Sequence, residues 1–199
     1  NETMTLGAAT AQNATPVSGT GTINDNDGAP QLSISGPADV NEAAGTISYT
    51  VSLTNASASP VTVNYATADG TATAGADYTA STGTLSFAPG ETSKTVTVNI
   101  VNDATYEGPE TYTIGLSAPT GATIASGSVS TTIHDDGTGT GGTDNDTPTL
   151  SVSSTTVLES AGFAVFTVSL SNASTAATTV SLATANGTSA LFATINAMG

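Results

Sequence analysis

Thr46-Ile47-Ser48-Tyr49-Thr50-Val51-Ser52-Leu53 alternates a small hydroxyl residue with a large apolar one. A period of two belongs to a strand with one buried face and one wet face. The same alternation recurs on both sides. Leu32 and Ile34 precede it; Val61, Val63 and Tyr65, then Leu85 and Phe87, then Val96, Val98 and Ile100 follow. Tyr112, Ile114 and Leu116, and finally Val129 and Ile133, close the series. Asn55-Ala56-Ser57, Asp69-Gly70, Ala88-Pro89-Gly90 and Pro119-Thr120-Gly121 supply turn chemistry between them. No window carries a helical period. About seven strands in roughly 110 residues predict an all-β chain, an antiparallel seven-stranded Ig-like β-sandwich.

Further out, the chain repeats itself. Asn1-Glu2-Thr3-Met4-Thr5-Leu6-Gly7 matches Pro109-Glu110-Thr111-Tyr112-Thr113-Ile114-Gly115, and Thr22-Ile23-Asn24-Asp25 matches Thr132-Ile133-His134-Asp135. Both matches lie roughly 110 residues apart, a domain-sized period. Val40-Asn41-Glu42-Ala43 matches Val157-Leu158-Glu159-Ser160, and Thr50-Val51-Ser52-Leu53 matches Thr167-Val168-Ser169-Leu170. The expected organisation is the C-terminal part of a first repeat at 1–27 and a complete repeat at 28–136. A flexible Gly/Thr-rich linker at 137–147 and the N-terminal part of a third repeat at 148–199 follow, the third diverging after Thr188. Asn1–Leu6 reads as the middle of a strand rather than a natural start. The partial repeats leave apolar residues without a facing sheet, Leu6 and Ile23 in one, Val165, Val168, Leu170, Val180 and Leu182 in the other. Two or three strands alone are marginal in water, so the expected partners are adjacent repeats or copies of the chain itself.

The charge balance narrows the function. Among 199 residues there are 16 Asp and Glu against a single base, Lys94, for a net charge of −15. Nucleic acid and anionic membrane surfaces are excluded as partners, since both need a basic face. With no cysteine, there is no disulfide, thiolate metal site or cysteine nucleophile. No apolar run approaches the roughly 18 residues that span a bilayer, and no signal-peptide pattern stands at the start. His134 adjoins Asp135, but no nucleophile can be matched to them. Glu107 and Glu110 have the form of a glycosidase pair, yet the chain has no Trp to hold a sugar. The expectation is a protein that is not an enzyme.

The acids gather where an antiparallel sandwich would bring loops to one end. Glu42 precedes the second strand, Asp69 follows the third, Asp103, Glu107 and Glu110 fill the loop after Ile100 with Asn102 beside them, and Asp135 and Asp136 end the last strand. Seven carboxylates cannot be neutralised by one lysine, and left unpaired they would repel and some would protonate. A hard cation with oxygen ligands resolves this, and so many ligands suit Ca²⁺ better than Mg²⁺.

Several spaced motifs within the complete repeat resemble the Calx-β domain family. They are Ala66-Thr67-Ala68-Asp69-Gly70-Thr71-Ala72 with Gly75-Ala76-Asp77-Tyr78, then Gly83-Thr84-Leu85-Ser86-Phe87-Ala88-Pro89-Gly90-Glu91, then Asn102-Asp103 through Glu107 and Glu110, and the terminal Ile133-His134-Asp135-Asp136. The resemblance implies a seven-stranded sandwich binding Ca²⁺ at one end, as in sodium–calcium exchangers, integrin β4 and large bacterial surface proteins. It places Glu42, Asp69, Asp103, Glu107, Glu110, Asp135 and Asp136 at ligand positions, and Thr105 at one that ligates through its backbone carbonyl. Asn102 joins the candidate set, although it and Ala104 stand where strongly binding members carry acids, and Gly137 replaces a third terminal Asp. In the third repeat Asn186 replaces the counterpart of Asp69, and Phe192-Ala193-Thr194-Ile195 replaces the Gly-x-Asp-Tyr segment; in the first, Glu2, Asp25 and Asp27 remain. Asp77 and Tyr78 read as structural, the Asp capping a turn and the Tyr packing over the sandwich edge.

These features together predict a calcium-binding structural or adhesive module of a long extracellular bacterial surface protein, secreted to the cell surface. Ca²⁺ would rigidify the array, and a cell-surface or matrix ligand would be a further partner. The alternative is a filament subunit whose terminal half-repeats complete one another by strand pairing.

Overall fold

The structure, a computed structural model, describes residues 2–8, 17–23 and 28–185. Asp25, Asp27, Asn186 and the divergent stretch after Thr188 lie outside the described residues. The strands are β1 (Glu2–Ala8), β2 (Val17–Ile23), β3 (Gln31–Ser35), β4 (Asp39–Asn41), β5 (Thr46–Leu53), β6 (Val61–Asp69) and β7 (Thr82–Phe87). They continue with β8 (Ser93–Asn99), β9 (Glu110–Thr120), β10 (Thr123–Ser126), β11 (Ser128–His134), β12 (Leu150–Val152) and β13 (Val168–Leu170). No α-helix occurs among the described residues, only one-turn 3-10 segments at Glu42–Ala44 and Glu159–Ala161.

Residues 28–136 form the sandwich. One sheet has the order β10-β3-β5-β8 and the other β4-β11-β9-β6-β7. All seven strands predicted from alternation are present, and the buried positions of β5 are its apolar ones. Leu32, Tyr49, Val51, Val61, Val63, Phe87, Tyr112 and Ile114 meet between the sheets. The two strands beyond the expected seven are β4 and β10. Both pair in parallel, β10 with β3 and β4 with β11, so the sandwich is not wholly antiparallel. The reason is that the chain changes sheets between β3 and β4 at Gly36-Pro37-Ala38, and again between β10 and β11. Gly36 lies directly under the Tyr49 ring, where a Cβ would overlap the ring carbons. Only glycine lets the crossing pass there.

The core holds one polar chain. Thr131 Oγ1 donates to the Pro37 carbonyl at 2.8 Å. Its single proton is thereby committed, so it accepts from the Tyr49 hydroxyl 2.6 Å away. Tyr49 in turn accepts from Tyr112 at 2.8 Å. Three buried hydroxyls and the carbonyl at the sheet crossing are thus satisfied in series, as buried polar groups must be. Burial pushes both tyrosines above their usual titration range. At the surface, Lys94 on β8 sits 2.7 Å from Glu91.

Residues 137–147 do not behave as the flexible linker their composition suggests. They fold back over β4 and are held by Asn41, which is fully buried. Its Nδ2 donates to the carbonyls of Thr138 and Asp144, and its Oδ1 accepts from the backbone of Ala43 and Asp144. The Asn41 amide also donates to the Thr140 carbonyl. A segment rich in Gly and Thr is ordered here because one asparagine satisfies four of its neighbours' backbone groups.

Two hairpins flank the sandwich, β1–β2 and β12–β13. Their apolar side chains are exposed, among them Met4, Leu6, Ile23, Val152 and Phe166. The stretch after β13 returns to the sandwich at residues 173–175, which exchange backbone hydrogen bonds with Tyr106.

Candidate metal centre

Antiparallel pairing sets the ends of β6 and β11 beside the start of β9: Asp69 is opposite Tyr112, and Ile133 opposite Glu110. The 3-10 turn that follows β4 adds Glu42 beside the end of β11. The loop from Val101 to Pro109 closes over this edge. Two carboxylate triads result, Glu42 with Asp135 and Asp146, and Asp77 with Glu107 and Glu110. Within each triad one oxygen per residue lies within 4.8 Å of the others. Five of these six, all but Asp146, line a single pocket together with Gly108 and Ile133.

The first triad is the more buried. Glu42 is 7% exposed and Asp135 3%. Glu42 Oε1 accepts from the Asp103 amide at 2.9 Å, and Asp135 Oδ2 from the Glu107 amide at 3.1 Å. The remaining oxygens are not served: Asp135 Oδ1 and Asp146 Oδ2 are buried without a hydrogen-bond partner. Burial, and then the neighbouring Asp135, push the Glu42 carboxyl up to about 8, against the opposing pull of the Asp103 amide. Asp146 is raised by burial and then by Asp144 and Asp135. In the second triad burial, followed by Asp77, lifts Glu107 and Glu110 to about 7 each. Such shifts mark carboxylates gathered with no positive charge to offset them.

Most residues singled out in the sequence are brought together. Glu42, Glu107, Glu110 and Asp135 supply triad oxygens. Asp103 and Thr105 sit on the covering loop, where the Thr105 amide donates to Asp103 Oδ1 at 2.6 Å; Asn102 is exposed beside them. Asp69 and Asp136 belong to neither triad. Asp69 Oδ1 instead accepts from the Tyr78 hydroxyl at 2.5 Å and the Ala74 amide at 2.9 Å. Asp136 Oδ1 takes both the amide and the hydroxyl of Thr138, and those bonds hold its carboxyl below its usual range.

Asp77 and Tyr78 need correction. Asp77 caps its turn as expected, its Oδ2 accepting from the Thr73 amide at 2.6 Å, but it also completes the second triad. Tyr78 is not over the edge of the sandwich. It is 1% exposed and stacked on Tyr112 with ring centroids 4.4 Å apart, its hydroxyl reaching out to Asp69 while burial raises its titration to about 12.

Asp146 is the residue that sequence reasoning missed. Its amide donates to the Asp135 carbonyl at 3.1 Å, which fixes it beside the first triad. A signal was present: Asp144-Asn145-Asp146 repeats Asp25-Asn26-Asp27, and each stands shortly before a proline that opens a repeat.

Six carboxylates with no nitrogen or sulfur donor suit a hard cation, and two orphaned buried oxygens aimed into one triad are what such a cation would satisfy. The residues therefore fit Ca²⁺.

Comparison with known proteins agrees with this geometry. The Calx-beta domain family model matches residues 25–137 and 142–191. The crystal structure of the apo form of the Calx CBD1 domain is similar at 28% identity and a TM-score of 0.52, over 54% of this chain and 97% of that one. The calcium binding domain CBD12 of CALX1.1 is similar at 28% identity and a TM-score of 0.51, over 53% of this chain and 46% of that one. A search of curated protein sequences finds no match. The chain belongs to the Calx-beta domain family.

Proposed function

We propose that the chain is a calcium-binding module of a long extracellular bacterial surface protein, and that it works by stiffening its array rather than by catalysis. The observation that carries this reading is the first triad: three carboxylates at one buried point, two of them with an unpartnered oxygen. A cation there would convert mutual repulsion into a bridge between β4, β11 and the segment 137–147. Glu42, Asp135 and Asp146 hold one ion in this proposal, and Asp77, Glu107 and Glu110 a second, with Asp103, Asn102 and the Thr105 carbonyl closing over them. Asp69 and Asp136 would join by exchanging Tyr78 and Thr138 for the metal. The titles of the similar structures, which name a calcium binding domain, support the choice of ion.

Because Asp146 stands beyond the last strand of the sandwich, an ion bound there would also fix the start of the next segment. The extracellular location rests on the Thr- and Ser-rich, nearly base-free composition and the family resemblance. Binding to the native state alone stabilises by about 2.7 kcal/mol at a hundredfold excess over Kd. Thermal melts in EDTA and in millimolar Ca²⁺ should therefore differ by about 10 °C for a domain of this size. Calorimetric titration should show saturable heat, and Asp135→Asn should remove the part of it that belongs to the first triad. Identical melts with and without Ca²⁺ would overturn the reading.

A further inference from the structure

The loop that covers the triads has two sides. The amides of Asp103 and Glu107 point inward, to Glu42 Oε1 and Asp135 Oδ2. Tyr106, between them, gives both its backbone groups to the next repeat. Its amide donates to the Ala173 carbonyl at 3.0 Å, and its carbonyl accepts from the Thr175 amide at 2.9 Å. Tyr106 and Ser174 thus make one parallel bridge. Around it Asn172, Ser174 and Ala176 are half-buried while Ser171, Ala173 and Thr175 are exposed. That period of two is the signature of a short strand laid against a surface.

The turn that presents this strand is assembled within its own repeat. The Thr149 amide donates to Ser171 Oγ, which donates to Asn172 Oδ1. With its oxygen so engaged, the Asn172 side chain must turn its Nδ2 outward. The second repeat contains the same series: the Gln31 amide donates to Thr54 Oγ1, and Thr54 Oγ1 to Asn55 Oδ1. Asn55 Nδ2 then donates to the Gly28 carbonyl, in the segment entering its repeat. Asn172 Nδ2 does the same with the Asp146 carbonyl. Two separate stretches of sequence build one device, so the asparagine is oriented before any neighbour is met.

In the third repeat that Nδ2 also reaches the Ala104 carbonyl, 3.5 Å away on the covering loop. Asp146 is itself fixed, its amide donating to the Asp135 carbonyl at 3.1 Å. The incoming repeat is therefore held at two places, its linker and its turn. A linker alone leaves a domain free to swing about it; a second attachment removes that freedom. Every group in this second attachment is a neutral amide or carbonyl, and no triad carboxylate takes part.

We infer that residues 172–175 are a docking strand that seats their repeat on loop 103–108 of the repeat before it, and that this joint holds without a bound cation. The chain has no cysteine, so Ser48→Cys on β5 and Ser169→Cys on β13, both exposed, give two unique spin-label sites. The labelled chain should show one narrow distance distribution in EDTA and in Ca²⁺ alike. Thr175→Pro removes the donor to the Tyr106 carbonyl, and Asn172→Ala removes the clamp. Each should broaden the distribution and speed exchange of the Tyr106 amide about tenfold, with the melting of the sandwich unchanged. Asn55→Ala cuts the matching series in the second repeat and should leave both readings as they were. A broad distribution in EDTA overturns the inference, and one that narrows only in Ca²⁺ assigns the joint to the cation instead. Unchanged distance and exchange in both Thr175→Pro and Asn172→Ala overturn it too. Melts that ignore Ca²⁺ would remove the calcium reading and leave this one standing.

Discussion

Replacing Glu42 by Gln should raise the stability of the metal-free protein and lower that of the calcium-loaded one. Gln keeps the shape and the carbonyl oxygen that accepts the Asp103 amide, so the substitution removes charge and little else. The triad oxygens lie within 4.8 Å, where two unit charges repel by about 1 kcal/mol at the dielectric of water and by about 3 kcal/mol at an effective value of 20. Glu42 is raised from 4.5 to about 8 in the fold. A carboxyl so raised binds more protons in the native than in the unfolded state between those values, so stability falls as pH rises through that window. At pH 8 in EDTA the variant should therefore melt about 4–24 °C above the wild type, taking about 4–8 °C per kcal/mol for a domain of this size. At pH 5 the wild-type carboxyl is protonated in the fold and resembles the amide, and the gap should close. In saturating Ca²⁺ the order should invert, because the variant has lost a ligand. Calorimetry at the two pH values, with and without the ion, reads all four corners. A variant less stable than the wild type at pH 8 in EDTA would refute the idea that the triad is held together against its own charge.

Asn41→Ala should free residues 137–147 and weaken Ca²⁺ binding at least tenfold without touching a carboxylate, read by calorimetric titration, with faster hydrogen exchange in that segment alone. Thr131→Val should cost about 2–3 kcal/mol in denaturant unfolding, since it orphans both the Pro37 carbonyl and the Tyr49 proton; Tyr112→Phe, which removes only the end donor of the same series, should cost about 1 kcal/mol. Gly36→Ala should destabilise by more than either, because the Tyr49 ring fills the space its Cβ would need.

The sandwich was readable because each of its seven main strands carries a stretch of apolar alternation, and a period of two admits one placement of the buried face. β4 and β10 were not, for they are three and four residues long, and their parallel pairing is decided by where the chain changes sheets. The site divides in the same way. Glu42, Glu107, Glu110 and Asp135 could be gathered from strand order alone. Asp69 could not be separated from them, since only packing shows that the buried Tyr78 sends its hydroxyl to it. Asp77 was hidden by its capping role, which accounts for the residue on its own until its closeness to Glu107 and Glu110 is seen. Asp146 was hidden by its Gly- and Thr-rich surroundings, which read as slack until Asn41 is seen to hold them.

The lone lysine has a consequence for the lifetime of the protein among proteases. Trypsin-like enzymes cut after Lys or Arg, and they need several residues of extended, detachable backbone around the bond. With no other such residue in the chain, Lys94 offers the only cleavage point. It lies within β8, its backbone laddered to Val51 of β5 and its side chain tied to Glu91. Every loop, hairpin tip and inter-repeat segment, where nicking ordinarily begins, lacks the residue these enzymes recognise. Cleavage of this class must wait for β8, an edge strand laddered only to β5, to leave its sheet, so digestion by trypsin reports the detachment of that one strand.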